Sequence, residues 1–449
     1  MKKLVVLGAG ESGLGAAMLA RQKGYVVLVS EYAVISPERR AKLEKAGIEF
    51  EEKGHSLDRV LEADLIVKSP GISPKVKAIT KAKDAGIPII DELEFAFQFS
   101  KGKVIAITGT NGKTTTASLI YHLLKSAGKN VGLAGNIGKS WAGQLVEQDH
   151  EWWVIECSSF QIEGMENFKP EIAILSNISP DHLDRYENNL DKYIAAKFKL
   201  FSKMTPDEKM ILFADDTLTE KGLSEYPVNA QIFELSLQNA KSEGFFDGNN
   251  LNVRLDEILW QIPASQLPIP GVHNVLNSLS AILASRLVGL SKAEIELGLK
   301  SFKNIPHRME QIAEIDGVTY INDSKGTNVE ATAYALAAFK KPLVWIAGGV
   351  DKGNDYSKIE KIVSERVKSL ICLGKENEKL KEAFQSIVKD IRETQDIKEA
   401  VSWSSEIAES GDVVLLSPAC ASFDLFKNYE DRGEAFAFAV DQLKPKTIS

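Results

Sequence analysis

The residues best placed to do chemistry fall in one run, Lys103-Val-Ile-Ala-Ile-Thr-Gly-Thr-Asn-Gly-Lys-Thr-Thr-Thr-Ala-Ser118. Val104 to Thr108 reads as a buried parallel strand, and an apolar helix follows the glycines. In Gly109-Thr110-Asn111-Gly112-Lys113-Thr114-Thr115 the two glycines let the backbone approach a phosphate and turn its N–H groups inward. Lys113 would reach β/γ-phosphates, and the Thr114 hydroxyl would sit on Mg²⁺. The spacing departs from the usual phosphate loop, whose first glycine would fall at Ile107. The plain alternative is a strand-to-helix turn with a solvated lysine. Glu156 closes the apolar run Trp152-Trp-Val-Ile, and an acid at a strand's C-terminal end beside such a loop can hold Mg²⁺ directly or through water. His182, in Asn177-Ile-Ser-Pro-Asp-His-Leu-Asp184 after the next strand, is a metal or phosphate ligand, or a loop histidine. Lys197, on a helix from Leu190 to Phe201, reads by itself as surface charge.

A second glycine loop comes earlier. Gly8-Ala-Gly-Glu-Ser-Gly13 lies between the strand Leu4–Leu7 and the helical run Leu14–Gln22, which fits G-x-G-x-x-G. The strand Val26–Ser30 ends at Glu31, about where an acid would hold an NAD ribose. By itself this points to a dehydrogenase or flavoprotein, with any nucleotide diphosphate on a helix N-terminus as the alternative. Ser69-Pro-Gly-Ile72 follows another strand at a similar edge. Asn274 and Asn277, three apart on one helical face, read a base or cap the helix.

These loops must be held by strands. A chain of 449 residues suggests two to four domains at about 150 residues each. The alternation of strands and helices predicts an α/β fold of three domains: a Rossmann-like domain over 1–94, a central P-loop domain with a parallel sheet over 95–298, and a C-terminal Rossmann-like domain over 299–449. In the last, Asp323-Ser-Lys-Gly-Thr-Asn328, Gly348-Gly-Val-Asp-Lys-Gly353 and Ser417-Pro-Ala-Cys-Ala-Ser-Phe-Asp424 each follow a strand, and three polar strand ends in one sheet suggest a binding crevice. The 44% apolar and 26% charged content is that of a globular protein. A net charge of −8 argues against a dedicated nucleic-acid binder. Three scattered cysteines without a CxxC fit a reducing cytosol. No apolar run reaches about 18 residues, so no membrane insertion is expected, and Gly8 and Gly10 interrupt the one stretch that imitates a signal peptide. No long amphipathic coil stands out, which favours a monomer.

Taken together, Gly109–Thr115, Gly135-Asn-Ile-Gly138, Glu156-Cys-Ser-Ser-Phe-Gln161, Asn177–Asp184, Tyr193-Ile-Ala-Ala-Lys197, His307-Arg308 and Asp323–Asn328 resemble the ATP-dependent Mur ligases, across all three domains and in the right order. Within that family the Gly8–Gly13 loop and the stretch Ser417–Gly433 are similar to the D-glutamate-adding branch, and no Asp-Asn-Pro-Arg motif of the diamino-acid-adding branch is present. The resemblance implies an ATP-dependent amide-forming ligase of cytoplasmic peptidoglycan precursor synthesis. It would join D-glutamate to UDP-N-acetylmuramoyl-L-alanine through an acyl phosphate.

The resemblance also implies roles. Gly10, Glu11, Ser12, Gly13, Glu31, Tyr32, Ser69, Pro70, Gly71, Asn136 and Ser158 would hold the UDP substrate, although Glu31-Tyr-Ala33 replaces the usual Asp-Thr-Arg and removes an arginine contact. ATP would meet Gly109–Thr115, Asn274, Arg308 and Asp323. Two Mg²⁺ ions would sit on Thr114, Glu156, His182 and Lys197, the last as a carbamate, since an ammonium cannot bind a cation. Lys113, Glu156, His182, Lys197, Arg308 and Lys325 would carry the catalysis. His182, Thr327, Lys352, Ser422, Phe423 and Tyr429 would receive the amino acid, with Phe423 and Tyr429 standing where Leu and Phe are expected. The split of these groups implies that the third domain swings in to bring Arg308 and Asp323 onto ATP. Other amino-acid ligases of the same mechanism, a dinucleotide-dependent oxidoreductase and a nucleotide-sensing module are the competing classes.

Overall fold

The computed structural model describes residues 1–267, 271–303 and 305–444. It is an α/β protein with three sheets. The first contains β1 (Lys3–Leu7), β2 (Val26–Ser30), β3 (Glu49–Glu51), β4 (Leu65–Lys68) and β5 (Ile89–Asp91), in the order β3-β2-β1-β4-β5 and parallel throughout. Leu4, Val5, Val6 and Leu7 are fully buried, as continuous apolar strands between helical layers must be.

The second sheet runs from β6 (Lys103–Thr108), β7 (Val131–Gly135), β8 (Trp152–Glu156) and β9 (Ile172–Leu175) through β10 (Lys209–Phe213) and β11 (Gln231–Ser236). It continues through β12 (Gly244–Phe246), β13 (Asn250–Leu255) and β14 (Ile258–Pro263). Its order is β14-β13-β12-β11-β10-β9-β6-β8-β7. The alternating stretch read as hairpin strands over 245–262 forms the antiparallel end, β12 to β14. β6 lies between β8 and β9, so the phosphate-loop segment leaves the sheet where strand order reverses, the place where such sheets bind ligands. The strand expected over Ile172–Asn177 ends at Leu175, because Ser176 and Asn177 bend away to meet the loop after β6. The helix expected over Leu190–Phe201 is α-helical only to Phe198 and tightens to a 3₁₀ turn over Lys199–Phe201.

The third sheet holds β15 (Glu310–Ile315), β16 (Val318–Asn322), β17 (Leu343–Ala347), β18 (Val367–Leu373), β19 (Asp390–Thr394) and β20 (Val413–Leu416), ordered β15-β16-β20-β17-β18-β19. Only β15 pairs antiparallel.

Residues 1–178 with 188–267 and 274–302 make one compact unit; 179–187 and the described chain from 303 onward belong to the other. Inside the first unit, the helix Glu92–Phe97 fastens the first sheet to the second. Asp91 caps it, accepting from the Leu93 N–H at 3.0 Å. Glu92 accepts from Ser140 Oγ at 2.7 Å and from the Ala142 N–H at 2.6 Å. Glu94, fully buried, accepts from the backbone N–H groups of Glu166, Asn167 and Phe168 at 3.0, 3.0 and 2.9 Å. The helix Glu11–Gln22 packs alongside at Gly15, where a Cβ would lie 2.0 Å from Ser140 Oγ.

Replacing Glu94 by alanine removes the acceptor of three N–H groups, of which that of Phe168 is buried and those of Glu166 and Asn167 are partly so. Urea unfolding followed by tryptophan fluorescence should show Glu94→Ala less stable by about 3 kcal/mol, and Glu94→Gln less affected, because its amide oxygen still accepts.

Candidate active site

The loop after β6 is held on three sides. Gly109 and Gly112 adopt positive φ, +141° and +85°, and a Cβ on Gly112 would lie 2.3 Å from Asn277 Oδ1. On the β9 side, Asn177 Oδ1 accepts from the Asn111 N–H at 3.0 Å, while the Asn111 carbonyl accepts from Ser176 Oγ at 2.6 Å and Asn177 Nδ2 at 3.0 Å. From the helix Val272–Leu287, Asn277 accepts from Thr116 Oγ1 at 3.2 Å and donates to Asn274 Oδ1 at 3.1 Å. Asn277 therefore buttresses the glycine turn. From the helix Leu190–Phe198, Tyr193 Oη meets Thr110 Oγ1 at 3.1 Å.

Both lysines face the same point. Lys113 Nζ donates to the carbonyls of Gly109 and Thr110 at 2.9 and 2.7 Å. Lys197 Nζ donates to the Gly109 carbonyl at 2.7 Å and lies 4.5 Å from the centre of the Tyr193 ring. Lys197 is buried, so its reading as surface charge is wrong: its helix turns it inward onto the loop.

Pairing of Ile107 with Glu156 brings the Glu156 carboxylate to the same edge. Its Oε1 accepts from Asn136 Nδ2 at 2.9 Å, and its buried Oε2 has no hydrogen-bond partner. An orphaned carboxylate oxygen beside a phosphate loop and the buried Thr114 suits a hard cation. Among the described residues no three acidic, histidine or cysteine side chains gather into a cage, so such a cation would share its coordination with phosphate oxygens. Ser158 is occupied locally: it caps the helix Ser159–Ile162 in a capping box with Gln161.

The first glycine loop is tight. A Cβ on Gly13 would lie 1.9 Å from the Gly8 carbonyl oxygen, and Ser69 Oγ is buried without a hydrogen-bond partner against Gly8. Gly10 and Ser12 lie at the start of the helix Glu11–Gln22 and Pro70 and Gly71 in the turn after β4, and Glu11 reaches towards the Ser140 N–H at 3.5 Å. Glu31 is occupied: its carboxylate accepts from the Ala9 N–H at 2.6 Å and the Ala33 N–H at 2.9 Å. It shapes the loop, and its neighbour Tyr32 is exposed.

In the second unit the three polar strand ends do converge. Asp323 accepts from Ser417 Oγ at 2.8 Å and the Met309 N–H at 3.2 Å. Burial pushes its carboxyl up to about 7, against those hydrogen bonds and the charges of Arg308 and Arg432. Arg308 stands between two residues of positive φ, His307 and Met309. Lys325 Nζ lies 3.7 Å from the centre of the Tyr429 ring. Lys352 pairs with Asp181 at 2.8 Å, and Asp181 also carries the His182 N–H at 2.9 Å. Val350 and Ala421 pair across the last two loops, with Ser422 buried beside them and Phe423 exposed.

Arg432 was missed. Its buried guanidinium donates to Ser324 Oγ and O at 3.0 and 2.8 Å and to the carbonyls of Gly348 and Cys420 at 3.4 and 3.3 Å, joining all three loops. A lone arginine in Glu-Asp-Arg-Gly carries no local signal for this.

Family models match the whole architecture in order. "Mur ligase MurD-like, N-terminal domain" covers residues 2–91, "Mur ligase middle domain" residues 107–285, and "Mur ligase, glutamate ligase domain" residues 307–420. The chain is 45% identical over 443 residues to the UDP-N-acetylmuramoylalanine–D-glutamate ligase of Christiangramia forsetii, covering 98% of this chain and 100% of that one.

The chain belongs to the Mur ligase family.

A Salinibacter ruber protein of the same name is 36% identical, with 98% of each chain covered. Solved Mur-type structures share the fold at lower identity. The UDP-N-acetylmuramate-alanine ligase of Thermotoga maritima superposes with a TM-score of 0.63 at 20% identity, over 99% of this chain and 100% of that one. A pseudomurein peptide ligase type C from Methanothermus fervidus gives 0.64 at 19%, again over 99% and 100%.

The buried Asp323 predicts a pH signature. Its carboxyl titrates near 3.8 when unfolded and about 7 when folded. Between these values the folded chain holds a proton that the unfolded chain has released, so the stabilisation is full below about pH 4 and lost as pH rises through 7. Denaturant melts from pH 4.5 to 8 should show wild type losing on the order of 3–4 kcal/mol relative to Asp323→Asn, whose amide does not titrate.

Proposed function

We propose that this Mur ligase joins D-glutamate to UDP-N-acetylmuramoyl-L-alanine in the cytoplasm, at the expense of ATP. The observation that carries the reading is the convergence of Lys113, Thr114, Glu156 and Lys197 on one strand edge, in a chain 45% identical end to end to a ligase of that name.

The chemistry follows from a leaving-group problem. A carboxylate does not yield an amide with an amine, because oxide cannot leave. Transfer of the ATP γ-phosphoryl group to the alanyl carboxylate gives an acyl phosphate and ADP. The amine of D-glutamate attacks its carbonyl carbon, loses a proton, and the tetrahedral intermediate expels phosphate. Both steps crowd negative charge, so positioned cations and N–H donors supply most of the acceleration. Lys113 and the N–H groups from Gly112 to Thr115, where the helix begins, take the β- and γ-phosphates, and Arg308 takes phosphate charge. Asn274 and Asp323 take adenine and ribose. Glu156 Oε2 and the Thr114 hydroxyl would hold a Mg²⁺, which when bound neutralises phosphate oxygens; His182 and a carbamylated Lys197 are assigned to a second ion. The Gly8–Gly13 loop with Ser69–Gly71, Asn136 and Ser158 is assigned to the UDP substrate. Thr327, Lys352, Ser422, Phe423 and Tyr429 are assigned to glutamate, with Lys325 beside them: a dicarboxylate needs cationic and hydroxyl donors, and this edge has both. A single copy of the chain suffices for this assignment.

Phosphate release from ATP and Mg²⁺ should require both UDP-N-acetylmuramoyl-L-alanine and D-glutamate. Release with L-glutamate instead would change the amino acid and keep the mechanism; tight NAD binding without release would return the first loop to a dinucleotide.

Lys197→Ala should lower kcat by about two orders of magnitude or more, the scale of one lost electrostatic group. Added short carboxylates should restore part of it, and bicarbonate should activate wild type alone. Full activity of the plain mutant would remove Lys197 from the mechanism.

A further inference from the structure

One buried carboxylate of the first unit has no task in the assignment above. Glu92 opens the helix Glu92–Phe97 that joins the first sheet to the second. Its Oε1 takes both of its donors, Ser140 Oγ at 2.7 Å and the Ala142 N–H at 2.6 Å. Its Oε2 is buried and has no hydrogen-bond partner. Ser140 is where two segments assigned to the UDP substrate meet. It ends the loop of residues 135–139 and caps the helix Trp141–Glu147, accepting from the Gly143 N–H at 3.0 Å. The loop is closed at its base by a bridge between Ala134 and Lys139 and by Gln144 Nε2, which donates to the carbonyls of Leu133 and Lys139 at 3.0 and 3.3 Å. Within it, the Asn136 N–H and Nδ2 donate to Glu156 O and Oε1 at 2.8 and 2.9 Å. The helix after the Gly8–Gly13 loop reaches the same serine. Glu11 Oε1 lies 3.5 Å from the Ser140 N–H, and Gly15 leaves no room for a Cβ against Ser140 Oγ.

The charges around Glu92 are mostly acidic. Glu11 acts on it from the helix Glu11–Gln22. Asp91 and Glu94 flank it on its own segment, with Lys68 of β4 acting on Asp91. The helix Trp141–Glu147 meets it with neutral donors, the Ser140 hydroxyl and the N–H groups of Trp141 and Ala142. Burial, reinforced by Glu11, pushes the Glu92 carboxyl up to about 7 against those hydrogen bonds. In the neutral form both lone pairs of Oε1 hold Ser140 and Ala142, so the proton sits on Oε2. In the ionised form a second negative charge stands against Glu11, across the residue that both of them hold, and the two substrate segments are pushed apart.

We propose that Glu92 is a positioning residue of the ligase: through Ser140 it keeps the loop of residues 135–139, with Asn136, aligned with the Gly8–Gly13 loop, so that one UDP substrate can span both. The proposal rests on the ligase reading above. The aligned arrangement is that of the neutral carboxyl, so substrate binding favours protonation of Glu92. Linkage then fixes the sign. Affinity for the UDP substrate falls as pH rises through 7, and binding just above neutral pH takes up a proton from solution. The substrate itself does not titrate in this window, because its diphosphate is a diester and its carboxylate is ionised throughout.

The test is titration calorimetry of UDP-N-acetylmuramoyl-L-alanine into the full-length protein from about pH 6 to 8.5, in buffers of different ionisation enthalpy. Wild-type binding should weaken about three- to tenfold across this range, tenfold for each unit by which binding raises the carboxyl. It should also take up a fraction of a proton near about pH 7.5. Glu92→Gln keeps an oxygen for Ser140 and Ala142 and cannot titrate. It should match wild type at the acid end, hold that affinity to the alkaline end and lose the proton uptake. Glu92→Ala should bind weakly at every pH, without uptake. Affinity for ADP should follow one pH profile in all three proteins. The same substrate profile and uptake in wild type and Glu92→Gln would overturn the proposal. So would equal loss of substrate and ADP affinity together with a fall in Tm, the mark of a purely structural role. Should Glu92→Gln not fold, Glu11→Gln gives the reading instead. With the facing charge gone, the weakening should shrink and its midpoint move to lower pH; an unmoved profile sinks the proposal. Absence of wild-type binding to this substrate at every pH would instead overturn the ligase reading, and this proposal with it.

Discussion

Two ammonium groups share one carbonyl oxygen. Lys113 and Lys197 both donate to Gly109 O, and the geometry of the phosphate loop depends on that shared acceptor. Like charges brought this close repel, and the repulsion is relieved when an anion such as a nucleotide phosphate approaches both. The Tyr193 ring under Lys197 and the hydroxyl contact from Tyr193 to Thr110 fix the position of the second ammonium. Glu156, whose Oε2 has no partner, completes an edge arranged for charge balance with something larger than a water molecule.

The third sheet solves the converse problem with one buried cation. Three loops following β16, β17 and β20 must present side chains in register, and backbone contacts such as Val350 with Ala421 tie them only pairwise. The Arg432 guanidinium spans them, donating to Ser324, Gly348 and Cys420. Burial lowers its pKa to about 10, so it stays charged at neutral pH. A planar, five-donor fork fits three diverging carbonyls and a hydroxyl better than an ammonium would, and its removal would leave several carbonyls of a binding edge without donors.

Local signals were legible in the sequence and distributed ones were not. The phosphate loop announced itself because the strand, glycines, lysine and helix are contiguous, and the alternating stretch over 245–262 announced a hairpin. β3 and β19 passed unread because Glu49–Glu51 and Asp390–Thr394 are short, charged sheet edges whose burial comes from neighbours. β10, with Met210 to Leu212 buried, is an apolar run too short for periodicity to separate strand from helix. Lys197 shows the same limit at a single side chain. On its own helix it is an ordinary lysine, and only the crossing of that helix over β6's loop makes it buried. Asn277 and Arg432 act on glycines and carbonyls 165 and 108 residues away in sequence, a distance over which spacing carries no information.

The first glycine loop illustrates how much chemistry one motif leaves open. G-x-G-x-x-G followed by an acid after the next strand describes a dinucleotide site and a nucleoside diphosphate site equally well, because both need a diphosphate on a helix N-terminus. The distinction lies in what the acid does. An acid at this strand end first serves the fold: Glu31 Oε2 accepts from the Ala9 N–H and Oε1 from the Ala33 N–H, which ties the loop to the end of β2. Each carboxylate oxygen keeps a further lone pair, so the same side chain can hold the loop and meet a ligand, and the spacing of the motif does not say which ligand.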